Sequence, residues 1–599
     1  MWILILPLLM QQVPVERSVL EAEHARASGA AALVAQTTTG TPRLRALAAR
    51  GLGRMEDTAQ ARHVLPLLAS PSIAVRVAAA GALAQMRAPF TYDDRLTDRD
   101  ASVRAALYEA AGRAAPATDD AERALVRGLA DSAVPARVGA ARGLESFFRL
   151  NRRTRGTAAA PTLEALHAAF ASTRDPMLRQ LVLMTMLTVR DRDSVTLARG
   201  LADASPLVRR LAVAGAQRHV QDTSALVRAE AVRHGDCAQI APALSDDSDQ
   251  VVLAAIGAVQ QRRCPVTLLQ PLLTSGRNGE QRGQALLALA ALDTVAARGA
   301  VAAVARDSSW QARMAAADVA TKLGDTVTMQ ILATDANPNV IAAAIHRPAD
   351  LVAALRSEHA GVLLAVAAKL KGMPDLSRHQ ARLVSAFNRL TADGSMTLRD
   401  PRVALLTRIG ELPDTTTNGL LRDALQDRDP AVAAVASQLL TARTGTRVAP
   451  ATTTLPIPPI PPASYIAGLA GAQARVTMKG LGTMTLELLT DEAPVTVAVF
   501  AQLAESRQYD GLTFHRIVPN FVLQGGSPGA DEYDPRTREF MRDELGTASN
   551  VRGSIGVSTR GRDTGDGQIY INLIDNFRLD HDYTVFARTL RGLDVIDRI

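Results

Sequence analysis

The chain has 599 residues, of which 47% are apolar, 21% charged and only 3% aromatic, and its formal net charge is +7. This length corresponds to several domains, and the apolar fraction excludes a wholly disordered chain. No apolar run approaches the ~18–20 residues that span a bilayer, so no transmembrane segment is expected. Acidic and basic residues are interspersed and aromatic residues are scarce, so the pattern does not predict a nucleic-acid-binding surface.

An apolar stretch occupies residues 2–10 and is followed by two glutamines. Its length is that of an export-signal core, which predicts a leader over residues 1–20 and an exported or periplasmic protein. No basic residue precedes the stretch, and no small-residue cleavage site follows promptly. We therefore keep the alternative that it is the first strand or helix of the folded domain, and a cytoplasmic location stays the alternative to export.

Residues 21–447 repeat a theme of an acidic or Ser-Pro start, a Val-Arg pair and an Ala/Leu-rich run. Examples are PSIAVRVAAAGALAQM, from residue 71, and DRDASVRAALYEAAG, from residue 98. Asp or Ser before each run is expected to cap a helix, with apolar residues at i, i+3, i+4 and i+7 forming one buried stripe. Because a single helix pair cannot bury that stripe alone, the pairs should stack into a solenoid.

These repeats resemble HEAT repeats of bacterial proteins, which implies an all-α solenoid whose concave face binds a protein partner. Some HEAT-repeat oxygenases hold iron through repeated His-Glu dyads. Here the nearest approach is the single pair Glu358-His359, so no metal or cofactor is expected.

The two cysteines, Cys237 and Cys264, are 27 residues apart, which is close to one repeat. Adjacent repeats could therefore bring them within disulfide distance. The alternative is that both are small buried apolar residues.

A segment with six prolines, residues 448–464, interrupts the repeats. Its composition favours an extended polyproline II conformation, which acts as a semi-rigid spacer. We expect it to link two independent domains, so that its cleavage releases a C-terminal fragment that keeps its activity.

Residues 465–599 change to strand-like alternation and contain YDGLTFHRIVPNFVLQGG, from Tyr509 to Gly526. This segment closely resembles the signature of the cyclophilin-type peptidyl-prolyl cis-trans isomerases, and GSIGVSTRGRDTGDGQIYINL, from Gly553, matches the family's second motif in length. The resemblance implies an antiparallel β-barrel with flanking helices. It also implies isomerisation of X-Pro bonds in proline-containing polypeptide clients, in assistance of protein folding and without a cofactor.

The resemblance assigns three catalytic residues: Arg516, aimed at the prolyl nitrogen, Phe521, which walls the proline ring, and Gln524, which steadies the arginine. The substrate-binding positions that it assigns are Phe514, Val522, Ser558, Thr559, Gln568, Tyr570, Leu579 and Tyr583. His515 should point to the opposite strand face and be structural.

Several positions depart from the family pattern. Ser558 and Thr559 replace the usual Ala-Asn pair, Tyr570 replaces a phenylalanine, and Arg578 stands where eukaryotic members carry a tryptophan, which puts cyclosporin affinity in doubt. The family's last strand, which pairs with its first strand, does not follow in the sequence, so we expect either that the sequence is a fragment or that the barrel has an open edge. These departures support an alternative function, a scaffold that binds proline segments without isomerising them.

Overall fold

The computed structural model describes residues 1–6, 16–91, 96–412, 415–531 and 533–599. The α-helices before the proline-rich segment are α1 (Arg17–His24), α2 (Ala30–Thr39), α3 (Pro42–Gly53), α4 (Ala61–Val64), α5 (Ile73–Met86), α6 (Ala101–Arg113), α7 (Asp119–Gly128), α8 (Val134–Leu150), α9 (Ala160–Ser172), α10 (Pro176–Thr188), α11 (Ser194–Leu201), α12 (Pro206–Ala216), α13 (Ala225–Ala231), α14 (Cys237–Ile240), α15 (Asp249–Arg262), α16 (Leu272–Ser275), α17 (Gly279–Leu292), α18 (Thr294–Val304), α19 (Trp310–Leu323), α20 (Thr326–Leu332), α21 (Pro338–Ala344), α22 (Pro348–Ala354), α23 (Ala360–Lys369), α24 (Gln380–Asp393), α25 (Arg399–Gly410), α26 (Asn418–Ala424) and α27 (Pro430–Thr444).

These helices form two layers. The inner layer is the row in which each helix packs on the next, namely α3, α5, α6, α8, α10, α12, α13, α15, α17, α19, α21, α23, α25 and α27. The other helices pack against that row. The expected all-α array of stacked helix pairs is confirmed, and its likeness to HEAT repeats stays a prediction. Within the described residues, no helix is both long and apolar enough to cross a membrane.

Successive inner helices are joined by arginine–aspartate pairs, which explain the repeated Val-Arg theme. The N···O distances are 2.5–2.8 Å in Arg76–Asp98, Arg104–Asp131, Arg179–Asp203, Arg209–Asp222, Arg228–Asp246, Arg282–Asp307 and Arg313–Asp335. Each aspartate also accepts a backbone N–H two residues further on, as Asp203 does from Ser205. Ser205 is at the position expected to cap α12, but its side chain accepts no hydrogen bond from the helix. Asp203 contributes to capping instead, because it accepts the N–H of Ser205.

The C-terminal domain is one antiparallel sheet with three helices. Its strands are β1 (Trp2–Leu6), β2 (Gln473–Met478), β3 (Gly482–Leu488), β4 (Phe514–Val518), β5 (Val522–Gly525), β6 (Ser554–Val557), β7 (Ile569–Asn572) and β8 (Val585–Arg591), in the spatial order β1-β2-β3-β8-β6-β7-β5-β4. The helices are α28 (Ala463–Gly468), α29 (Pro494–Glu505) and α30 (Leu593–Arg598). The core lies inside the curled sheet and includes Leu486, Phe500, Ile555 and Phe586.

The expectation of an open barrel edge is wrong, because β1 from the chain's N-terminus covers it. β1 pairs antiparallel with the outer edge of β2, and Ile3 lies opposite Val476. The carbonyl of Met1 accepts a 3.1 Å hydrogen bond from Gly511, just before β4 at the other edge of the sheet. Trp2–Leu6 is thus a strand of the folded domain, the alternative interpretation of this stretch, and residues 7–10 lie outside the described residues.

The inner layer of helices holds the C-terminal domain along much of its length. Contacts run from α3 through α25, and they include Arg142 with Asp580, Asn520 with Leu226 and Glu230, Asn339 with Pro528 and Ala530, and Thr397 with Thr537. The C-terminal domain therefore lies against the inner layer over these helices, and a protein partner on the concave face stays a prediction.

The proline-rich segment forms no helix or strand from residue 448 to 462, α28 begins at Ala463, and the segment is docked on both of its neighbours. Ala451 donates its N–H to the carbonyl of Leu425, and Arg542 of the C-terminal domain donates to the carbonyls of Leu455 and Pro456. With β1 and the interface above, these contacts contradict the expectation of two independent domains.

The two cysteines form the disulfide that their spacing allowed. Cys237 begins α14, Cys264 follows α15, and their Cα atoms are 5.5 Å apart. The bond therefore joins the two helices of one pair rather than two successive repeats.

Candidate active site

One row of residues in register crosses four neighbouring strands and forms the floor of the site. Arg516 on β4 lies opposite Gln524 on β5, Gln524 opposite Tyr570 on β7, and Tyr570 opposite Gly556 on β6. Residues in register share a face of the sheet, so these four positions face the same way. The adjacent row, which includes Leu523, Ile571 and Ile555, faces the core.

Arg516 is exposed, unlike the other residues of this row, and two successive hydrogen bonds position its guanidinium. Nη1 of Arg516 donates a 3.2 Å hydrogen bond to Oε1 of Gln524. Nε2 of the buried Gln524 donates in turn to Oγ of Ser558 at 2.9 Å. Ser558, the substitute for the usual alanine, thereby fixes the orientation of the glutamine that positions the arginine.

Phe521 stands on the tight turn between β4 and β5. Its N–H donates to the carbonyl of Val518, and Asn520 before it has φ +59°. The guanidinium carbon of Arg578 lies 4.6 Å from the centre of the Phe521 ring, a cation–π contact. Arg578 therefore contacts this wall from the position at which the family can carry a tryptophan.

Two tyrosines and a leucine stand near the other end of the row. The rings of Tyr570 and Tyr583 pack edge to face with their centres 5.9 Å apart. The N–H of Tyr583 donates to the carbonyl of Leu579, which places both side chains on one turn. Val522 is buried two residues before Gln524 on β5, and Thr559 is half-buried directly after Ser558.

Two predicted substrate-binding residues lie elsewhere. The register shifts between Phe514 and Arg516, so Phe514 turns into the barrel core although it is only two positions from the exposed arginine. Gln568 is 0% exposed, and its Nε2 donates to Asp566 at 3.2 Å. Neither side chain is presented to a substrate in this structure.

His515 is buried beside Arg516, and its ring nitrogens find no hydrogen-bond partner among the described residues. Burial, followed by the nearby charge of Arg516, lowers the pKa of His515 to about 4. The imidazole is therefore neutral at physiological pH, in agreement with the structural role expected for it.

Comparison with known proteins identifies the domain that carries this site. The family described as "Cyclophilin type peptidyl-prolyl cis-trans isomerase/CLD" matches residues 474–599. A peptidyl-prolyl cis-trans isomerase of Acinetobacter baylyi is 32% identical over 142 residues, which cover 22% of this chain and 76% of that protein. The chain belongs to the cyclophilin family.

Further relatives of the cyclophilin domain come from bacteria and eukaryotes. A peptidyl-prolyl cis-trans isomerase of Helicobacter pylori is 38% identical over 121 residues, covering 20% of this chain and 75% of that protein. The crystal structure of a Cryptosporidium parvum cyclophilin-type isomerase is 22% identical, covers 20% of this chain and 77% of that chain, and superposes with a TM-score of 0.19.

The tyrosine at position 570 of this cyclophilin is accommodated by a glycine. A Cβ atom at Gly556, the cross-strand partner, would lie 2.3 Å from the Tyr570 hydroxyl, which is closer than nonbonded atoms allow. The hydroxyl instead reaches Asn550 and donates to its Oδ1 at 2.6 Å. The motif alone revealed neither Asn550 nor the side chains that hold Asn550, because they come from loops without a sequence signature.

One buried group in the interface has the composition of a metal site. Ligand atoms of Glu23, His24 and Glu544 all lie within 4.8 Å of one another. The carboxylate of Glu544 already accepts two backbone N–H groups at the start of α29, and Glu23 is paired with Arg54. Burial opposes ionisation of Glu23, but the arginine beside it lowers the pKa to about 2. This group is therefore explained as the Glu23–Arg54 ion pair within the array, which lies beside the carboxylate that caps α29.

Proposed function

We propose that this chain is a peptidyl-prolyl cis-trans isomerase that acts on X-Pro bonds of polypeptides. The observation that carries the proposal is the exposed Arg516 guanidinium, held by Gln524 and Ser558 in one row with Tyr570. Isomerisation is slow because resonance makes the peptide bond partly double. As the bond twists, the prolyl nitrogen becomes a hydrogen-bond acceptor, and a guanidinium fixed beside it binds this state more tightly than the planar one.

The remaining residues of the site would position the substrate. Phe521, Leu579 and Tyr583 would contact the proline ring, and the neutral His515 would take no proton. The named relatives support this assignment, since they are peptidyl-prolyl cis-trans isomerases. Assistance of protein folding, with the helical repeats as a binding scaffold, is the role we propose for the whole chain.

The proposal is tested by the isomerisation rate of an Ala-Pro peptide with the intact chain. Arg516→Ala should lower kcat/KM by roughly 100-fold, the order of loss when one preorganised donor is removed. The matched control is Arg588→Ala, since Arg588 is also an exposed strand arginine but lies on β8 and pairs with Glu487. Binding of the peptide without turnover by the wild type would instead favour the non-catalytic scaffold.

We further propose that the protein is exported to an oxidising compartment, where disulfides persist. The bond between Cys237 and Cys264 supports this proposal. Protein from the native host, alkylated before and after reduction, should carry no free thiol until reductant is added. Two free thiols before reduction would contradict both the disulfide and the export proposal.

A further inference from the structure

The turn that carries Phe521 is held by the helical array. Nδ2 of Asn520 donates to the carbonyl of Leu226 in α13 at 3.2 Å and lies 3.3 Å from Oε2 of Glu230. Arg233, which follows α13, donates to the carbonyl of Pro519 at 3.1 Å. The two residues before Phe521 are thus both bonded to the same part of the array.

The opposite side of the site is connected to α8. Nη1 of Arg142 lies 3.2 Å from Oδ2 of Asp580, directly after Leu579. Oδ1 of Asp580 accepts the N–H of Asn550 at 2.7 Å, and Oδ1 of Asn550 accepts the Tyr570 hydroxyl at 2.6 Å. We call these four residues, Arg142, Asp580, Asn550 and Tyr570, the Arg142–Tyr570 network.

The three members of the network that belong to the cyclophilin domain, Asp580, Asn550 and Tyr570, are buried, so the geometry of the network depends on each of them. Asn550 is 0% exposed, and its amide group bonds Asp580 and accepts from Tyr570. Arg142 also stacks on the Phe577 ring at 4.6 Å, at the start of the turn that carries Leu579. Without Arg142, Asp580 would lose the arginine that faces it from the array, and a buried carboxylate without its partner rearranges at a cost.

We propose that the helical array contributes to catalysis by the isomerase domain, because α8 and α13 hold the two sides of the proline pocket in position. Arg142 and Asn520 are then positioning residues, which act through Tyr570 and Phe521. This proposal rests on the isomerase function proposed above. It assigns the array a task in this chain's own catalysis in addition to binding other proteins.

The test measures kcat and KM separately on an Ala-Pro peptide with the intact chain. Arg142→Met should lower kcat about tenfold with little change in KM, because the proline still binds but is misaligned with Arg516. The control is Arg399→Met. Arg399 of α25 also stacks at 4.6 Å on a phenylalanine of the domain, Phe540, and also pairs with an aspartate, but it lies outside the network. Its kcat should stay within twofold of the wild type.

A double-mutant cycle separates positioning from a general loss of structure. Tyr570→Phe disconnects the ring from the network while leaving the family's usual side chain. In that background Arg142→Met should cost only about twofold in kcat. Equal costs in the two backgrounds would overturn the proposal, because the effect would then not pass through Tyr570.

Asn520→Gly provides an independent test of the other side of the pocket. Glycine keeps the positive φ of the turn and removes only the side-chain bonds to α13. We expect kcat to fall several-fold at an unchanged melting temperature, and a wild-type kcat would overturn the assignment. An inactive wild type would refute the proposed function itself, whereas an active wild type with unaffected variants would refute only the positioning by the array.

Discussion

A histidine stands directly beside Arg516, yet it is kept out of the chemistry. His515 is 8% exposed, and burial with the adjacent guanidinium lowers the pKa of its imidazole to about 4. A side chain that is neutral between pH 5 and 8 does not add a titration to the catalytic rate. The ionisation of His515 instead affects the stability of the fold.

The low pKa of His515 predicts acid sensitivity of the fold. The unfolded chain protonates this residue near pH 6.5, so the stability contributed by the neutral form is complete above that pH and is lost as the pH falls through about 4. The loss should reach ~3 kcal/mol, measured by urea unfolding at pH 7, 5.5 and 4. His515→Phe should remove most of it. His379→Phe, at a half-buried position of the helical array, should not change the pH dependence.

The motif located candidate site residues along the strands but did not predict which way each one faces. Arg516 and Gln524 are brought together as the resemblance implied. Simple alternation would also put Phe514 on the face of Arg516, but the irregular register between them turns Phe514 into the core. Such a shift is a property of strand pairing, so one strand's sequence does not reveal it.

Tyr570 is a second residue whose surroundings one strand's sequence does not reveal. The sequence marks it as a departure from phenylalanine, but the compensation lies in other segments. Gly556 makes room for its ring, and Asn550 accepts its hydroxyl bond. A pair of such compensating residues becomes visible only when the strands are in register.

Among the elements, β1 gives the sharpest test of the fold because its two faces differ. Ile3 is 7% exposed and belongs to the barrel core, whereas Leu4 is 56% exposed on the other face. Ile3→Asn should therefore lower the free energy of unfolding of the cyclophilin domain by roughly 3 kcal/mol, since it buries an unpaired amide and leaves a cavity. Leu4→Asn, the matched control, should change it by less than about 0.5 kcal/mol. Equal effects in chemical unfolding would mean that β1 does not pair as described.

The helices were the most predictable feature of the fold, and the ion-pair partners of their arginines were the least predictable. Apolar periodicity sufficed to predict stacked helix pairs. The Val-Arg theme was visible as a repeat, but its cause is the aspartate of the following repeat, as in Arg104 with Asp131. Bonding to that arginine holds the pKa of Asp131 below its usual range. The pairing joins residues 27 positions apart, so helical periodicity does not report it.

At the scale of the whole molecule, the domain boundary was predictable and the docking of the domains was not. Composition located the proline-rich segment between them. The interface depends instead on scattered polar residues such as Arg26 with Asp563 and His581 with Glu109, which have no sequence signature.

Docking changes the expected result of proteolysis. After cleavage within residues 448–464, the two fragments should remain together in gel filtration, because β1 and the interface hold them without the linker. Residues 465–599 expressed alone should unfold more easily than in the cleaved complex, and adding residues 1–447 should restore their stability. A C-terminal fragment that elutes by itself with full activity would show that the domains are independent after all.

The position of β1 also sets the order in which this protein can be completed during synthesis. Every residue of β1 pairs with one more than 460 positions later in the chain. At ~5–20 residues per second, the strand leaves the ribosome on the order of a minute before its partner exists. The helical array is made in between, and each helix pair can fold on its neighbours as it emerges. By the time β2 is synthesised, the folded array connects the two strands in place of a long flexible loop. The array therefore holds β1 close to the position at which the C-terminal domain folds.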